Sequence, residues 1–194
     1  MLGVVLCGGQ SSRMGTDKGL LKLEARTWAQ TAVDKLAALQ LPVVLSVNAL
    51  QYPDYAAVFP AEQLVKDNET LDIHGPLSGV LSVHLQFPQE DLLILACDMP
   101  LMETAVMERL ISACHEHNSF EAYIFSNNHE PEPLCGIYMA IGLAATMERY
   151  RNQQLLKHSM KFTLQNLATY IIPVQPGEEK YFRNFNAHAE LNGL

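Results

Sequence analysis

The first eighteen residues constrain the fold most. Leu2-Gly3-Val4-Val5-Leu6 is a short apolar run that reads as a buried strand. It breaks at once into Cys7-Gly8-Gly9-Gln10-Ser11-Ser12-Arg13-Met14-Gly15-Thr16-Asp17-Lys18. Small residues let backbone N–H groups approach phosphate oxygens, and Arg13 and Lys18 bring positive charge. In α/β folds a loop at the carboxyl end of a first parallel strand is where ligands bind. The segment reads as a phosphate loop of neither common kind. A Walker loop ends in GK[ST], whereas Lys18 lies between Asp17 and Gly19; the GxGxxG of dinucleotide folds is absent, which argues against a generic Rossmann oxidoreductase.

Strand-like and helix-like patterns then alternate. After a short extended piece over 19–23, residues 27–40 read as a helix capped by Thr27, with Trp28, Ala32, Leu36 and Leu39 on one face. Residues 43–47 and 63–66 read as strands. A helix over 76–87 carries Leu77, Val80, Leu81 and Leu85, and 91–97 is the clearest buried strand. A helix over 103–115 follows, then strands over 122–126 and 133–139 joined by the polar Asn127-Asn128-His129-Glu130. The remainder reads as helix-rich from 140 to 167, a strand over 170–174 and a last helical turn over 187–191. This order predicts the α/β class: one domain over 1–194, with helices on both faces of a mostly parallel sheet.

Composition bounds the function. Of 194 residues, 48% are hydrophobic and 18% charged, as in a folded globular chain. A net charge of −8 argues against nucleic acid as a partner, yet a few local cations suffice for one triphosphate. No apolar run approaches the ~20 residues of a membrane helix, and no basic segment precedes the first strand as in a secretory signal. The expected location is the cytoplasm, away from membranes. Cys7, Cys97, Cys114 and Cys135 show no CxxC spacing and read as small buried residues in a reducing compartment.

The ordered set GGxSxRMGxDK over 8–18 resembles the signature loop of the molybdenum cofactor guanylyltransferases, within a wider nucleotidyltransferase group. The resemblance continues through Gly75-Pro76-Leu77-Ser78-Gly79, Ala96-Cys97-Asp98-Met99-Pro100-Leu101, Pro133-Leu134 and Asn184-Phe185-Asn186, spanning nearly the whole chain. Asp17-Lys18 is more typical of the guanylyl branch; the cytidylyl branch usually has proline before the lysine. The resemblance implies a Rossmann-like three-layer α/β/α domain, GTP and molybdopterin cofactor as substrates, and Mg²⁺ as cofactor. It leaves room for partner proteins of molybdenum cofactor biosynthesis.

The same resemblance makes Leu6, Cys7, Gly8, Gly9, Ser11 and Ser12 nucleotide-binding, with the serines also readable as turn formers. Lys18 is expected to contact the phosphates during attack, and Arg13 to offer a planar fork to departing pyrophosphate. Asp98 ends the strongest strand, where Pro100 forces the chain out of the sheet. It is a hard oxygen ligand suited to Mg²⁺; the rival reading makes it the cap of the next helix. Asn48 and Asp67 match polar positions that contact the nucleotide in the family. Asn48 also reads as a turn residue, and Asp72 is a rival for Asp67. Asn184 and Asn186 fall where the family lines the acceptor side, although Ala187 and His188 replace the usual threonine and proline. His115-Glu116-His117 reads as a solvated helix end, since residues two apart on a helix diverge. Lys157, His158 and Lys161 suit either a phosphate or an exposed face. Alternatives of the same chemistry use CTP or another phosphorylated acceptor; a different class would be a non-catalytic nucleotide-binding relative.

Overall fold

The computed structural model describes residues 1–8, 17–23 and 25–185. The turn expected over 187–191 lies outside them. Among the described residues, seven strands form one sheet in the order β5-β4-β1-β6-β8-β7-β9. These are β1 (Leu2–Leu6), β4 (Val43–Val47), β5 (Leu64–Lys66), β6 (Leu92–Ala96), β7 (Ala122–Asn127), β8 (Glu130–Tyr138) and β9 (Thr169–Pro173). A separate ribbon pairs β2 (Lys22–Leu23) with β3 (Arg26–Thr27). The helices are α1 (Trp28–Ala38), α2 (Tyr52–Ala56), α3 (Pro76–Gln86), α4 (Thr104–Glu116), α5 (Ala140–Arg151) and α6 (Met160–Gln165).

Every residue of β1 and β6 is buried. Continuous apolar runs are what a parallel strand covered on both faces requires. Side chains alternate across the sheet: Val5, Leu45, Leu93 and Leu95 enter one core with α1 and α4, while Val4, Leu6, Val44 and Ile94 enter another with α3, α5 and α6. Thr27 caps α1 as expected, its Oγ1 accepting from the Gln30 N–H at 3.1 Å. Trp28, Ala32 and Leu36 are buried on that helix. On α3, Leu77, Val80 and Leu81 are buried, but Leu85 is exposed.

One local expectation changes and two are sharpened. The piece over 19–23 is only partly extended: Lys18–Leu20 is a 3-10 turn, and extension begins at Lys22. The stretch over 140–167 is two helices, parted after Asn152 where Gln153 takes a φ of 55°. The two strands after α4 form a hairpin, with Asn128 and His129 at φ 50° and 66° in a two-residue loop. Such a loop reverses the chain too tightly for a parallel crossover, so β8 runs against its neighbours. It inserts between β6 and β7, and the other six strands share one direction.

Candidate active site

From β1 the chain proceeds to β4 and β5 on one side, and β6 lies on the other. In open α/β sheets ligands bind where the strand order reverses in this way, which here is at the carboxyl ends of β1 and β6. The ladder extends one residue beyond the strands: Cys7 N–H bonds to Ser46 O at 3.0 Å, and Cys97 N–H to Leu6 O at 3.1 Å. Leu6, Cys7 and Gly8 therefore end at the same edge as Asp98. Gly9, Ser11, Ser12 and Arg13 lie outside the described residues.

Lys18 comes back to this edge. Its Nζ is 3.8 Å from Asp98 Oδ2, with both side chains 23% exposed. Asp98 Oδ1 is buried and has no hydrogen-bond partner among the described residues. Burial raises the Asp98 pKa, and the Lys18 charge works against that rise. A carboxylate held this way suits an oxygen-seeking cation: one oxygen faces a positive charge, and the other lacks a donor among the described residues. The helix-cap reading fails, because the residue at the start of α4 is Glu103 and no side chain caps that helix. The turn carrying Asp98 is tied from two sides. Lys35 Nζ on α1 donates to Pro100 O at 2.5 Å, and Phe185 N–H donates to Asp98 O at 2.9 Å. The second bond brings the exposed Asn184 beside Asp98. Asn186 lies outside the described residues.

Asp67 follows β5 and is held inward. Ser46 Oγ donates to its Oδ1 at 3.0 Å, while a Cβ on Gly8 would lie 3.6 Å from its Oδ2. Burial raises its pKa, opposed by the Ser46 hydroxyl. Gly79 permits this packing, since a Cβ there would stand 2.3 Å from Ser46 Oγ. The rival Asp72 is exposed; its carboxylate lies 3.9 Å from His74 Nε2, and its backbone N–H donates to the Tyr150 hydroxyl at 2.9 Å. Asn48 is the turn residue that one reading anticipated: its Oδ1 accepts from the N–H groups of Leu50 and Gln51, at 3.0 and 2.9 Å. It also lines, with Asp67, Leu71, Ile73 and Ser78, a cleft of about 270 Å³.

Sequence reasoning missed Ser46, Gln51 and Tyr55, which hold Asp67 and Asp17. Nothing in their spacing marks them, because their partners are 21 to 38 residues away. Two of the remaining polar candidates are otherwise engaged. His117 stacks on Tyr170 with ring centres 4.4 Å apart, and Lys161 pairs with Glu130 at 2.6 Å. All four cysteines are free and buried. Hydrogen bonding with Cys7, then burial, raises the Cys97 thiol, and burial pushes Cys135 up to about 12. Thiols so disposed are inert.

The family model described as MobA-like NTP transferase domain matches residues 3–167. The chain belongs to the MobA-like NTP transferase family. A probable molybdenum cofactor guanylyltransferase of Geobacillus sp. (strain WCH70) is 33% identical over 199 residues, covering 100% of this chain and 97% of that one. Another from Flavobacterium johnsoniae is 28% identical, covering 98% and 94%. The crystal structure of molybdopterin-guanine dinucleotide biosynthesis protein A from Archaeoglobus fulgidus matches with a TM-score of 0.76 at 20% identity, covering 100% of this chain and 96% of that one. The 4-diphosphocytidyl-2C-methyl-D-erythritolsynthase of Anaerococcus prevotii shares the fold too, with a TM-score of 0.69 at 9% identity over 99% and 92% of the two chains. The chain is thus a MobA-like nucleotidyltransferase by family, and the fold alone does not choose the base. Among the described residues, no helix is long and apolar enough to cross a membrane.

Proposed function

We propose that this chain transfers GMP from GTP to the terminal phosphate of molybdenum-loaded molybdopterin. An acceptor phosphate oxygen would attack the α-phosphorus as the bond to the bridging β-phosphate oxygen breaks, releasing pyrophosphate. The observation that carries the chemistry is Lys18 Nζ at 3.8 Å from Asp98, whose second oxygen is buried without a donor among the described residues. Transfer at phosphorus depends chiefly on positioning and on neutralising charge. Lys18 supplies a fixed positive charge for the phosphates; Arg13 is assigned the departing pyrophosphate. Asp98 would hold Mg²⁺, which when bound neutralises phosphate oxygens. The acceptor phosphate is already anionic, so no strong base is required.

The base is assigned to the cleft of Asn48 and Asp67. With Oδ1 of Asn48 occupied by two backbone donors, its amide offers only N–H groups outward. Asp67 offers an acceptor. Together they complement guanine, whose pairing edge carries both O6 and N–H groups. The acceptor rests on the names of the relatives, and Asn184 and Asn186 are assigned to its side. Residues 1–194 are taken to work as one domain in the cytoplasm, where the free thiols would remain reduced.

Incubation of the folded protein with labelled GTP, Mg²⁺ and molybdenum-loaded molybdopterin tests the reading. Guanylylated cofactor with matching pyrophosphate is expected, and no pyrophosphate release overturns it. The shared fold with a cytidylyl enzyme makes CTP the rival donor. Greater thermal stabilisation by CTP than by GTP would select that rival.

A further inference from the structure

We infer that Gln51 and Tyr55 are positioning residues that set Lys18 opposite Asp98 by clamping the carboxylate of Asp17. The inference rests on the nucleotidyltransferase reading of this edge.

The Asp17 carboxylate accepts three hydrogen bonds among the described residues. Its Oδ1 takes the Tyr55 hydroxyl at 2.8 Å and the Gly19 N–H at 2.9 Å, and its Oδ2 takes Gln51 Nε2. Gln51 reaches further. Its Nε2 also donates to Cys7 O at 3.0 Å, and its Oε1 accepts from Asn48 N–H at 3.1 Å. One side-chain amide thus touches the end of β1, the residue before Lys18 and the turn carrying Asn48. With both donor hydrogens and an acceptor lone pair in use, its orientation is determined by the network.

Tyr55 is fully buried, and its hydroxyl donates to Asp17. Burial first, then the neighbouring Cys7, Cys97 and Asp17, keeps that hydroxyl protonated and therefore a donor. Gly19 gives an independent sign of how closely the parts fit. A Cβ there would stand 2.1 Å from Tyr55 Oη and 3.3 Å from Cys97 Sγ. The Asp17–Tyr55 contact and a side chain at position 19 cannot both be accommodated without movement.

Lys18 sits between the clamped Asp17 and this close-packed glycine, in a 3-10 turn that Asp17 caps. The positions of its two neighbours decide where its Cα lies. The clamp acts on phosphates only through Lys18, which makes Gln51 and Tyr55 positioning rather than catalytic residues.

Isothermal titration of the full chain with GTP and Mg²⁺ tests this, using Gln51→Met and Tyr55→Phe, each alone and combined with Lys18→Ala. Both keep the side chain's bulk while removing its hydrogen bonds to Asp17. Each single variant is expected to weaken GTP binding about tenfold, a loss of about one to two hydrogen bonds. In the Lys18→Ala background Tyr55→Phe should add less than about twofold, because contacts acting through one group do not add. Circular dichroism melting confirms folding, and the lighter Tyr55→Phe substitution decides if Gln51→Met melts early. Unchanged GTP affinity in both variants overturns the clamp, as does a Tyr55→Phe loss that persists undiminished without Lys18. If the unaltered chain binds none of the four nucleoside triphosphates, the functional reading fails as well.

Discussion

The two sides of the sheet divide the work differently. On the β5-β4-β1-β6 side all strands run parallel, and the chain leaves the carboxyl ends of β5, β4 and β6 carrying Asp67, Asn48 and Asp98. On the β8-β7-β9 side a hairpin reverses the direction, and the polar groups at the same edge mostly satisfy one another. Asn127 donates to Glu132 at 3.2 Å, and Lys161 pairs with Glu130. The second side reaches the site by a return segment. Arg109 grips Glu178 at 2.6 Å, Phe182 packs on Phe125, and Phe185 N–H bonds to Asp98 O. At the first edge Asp98 Oδ1 is buried without a partner among the described residues, beside the Lys18 charge, whereas paired side chains make the second edge a frame.

The sharpest way to break this contrast is at Asp98 and Lys18. Asp98→Ala and Lys18→Ala are each expected to lower pyrophosphate release by about 10²–10³-fold, the usual cost of a lost charge-stabilising group. Melting temperature should hold or rise for Asp98→Ala, because a buried oxygen with no donor among the described residues is removed. A low melting temperature would instead make Asp98 part of the frame.

Arg109→Ala is expected to do the reverse. It removes the Glu178 pair, the bond to Pro173 O and the contact over the Phe125 ring. A destabilisation of about 1–2 kcal/mol is expected in urea unfolding, discounted for the partial exposure of the pair. GTP affinity should change less than about twofold, and a large loss would tie the return segment to nucleotide binding.

The acid limb offers a smaller effect. Burial raises the pKa of both Asp98 and Asp67. The folded chain therefore binds these protons more tightly than the unfolded chain does. The associated stability is fully present below the ordinary carboxylate value and is lost as pH rises through the raised one. Binding that needs ionised Asp98 should accordingly fail on acidification at a higher pH than for an exposed aspartate. Asp98→Asn should bind more weakly and flatten that limb, as read from Kd against pH. An unaltered profile would remove Asp98 from binding.

Least of all should follow from Lys161→Ala. Its partner Glu130 is exposed, and solvent screens such a pair. The melting temperature should stay within measurement error at physiological salt. A marked drop would show that the hairpin edge carries energy the comparison does not assign to it.

Much of the parallel side was legible because its signals are local. The apolar run of β6 ends at Asp98 and Pro100, Thr27 marks the start of α1, and the turn role of Asn48 was one of its two readings. Asp67 over Asp72 was not legible. Two carboxylates five residues apart read alike until one is buried beside Ser46 and Gly8. The 19–23 piece misled because Asp17 turns Lys18–Leu20 into a 3-10 turn through a side-chain bond to Gly19.

The sequence alone determined which segments could be buried strands, where helices begin, and which loop could face phosphates. Those properties follow from residue periodicity and capping over a few neighbours. Tertiary structure decided that β8 lies between β6 and β7, that Lys18 returns to Asp98, and that Gln51 and Tyr55 hold Asp17. Such contacts join residues tens of positions apart, and their geometry exists only once the sheet has assembled its strands out of chain order.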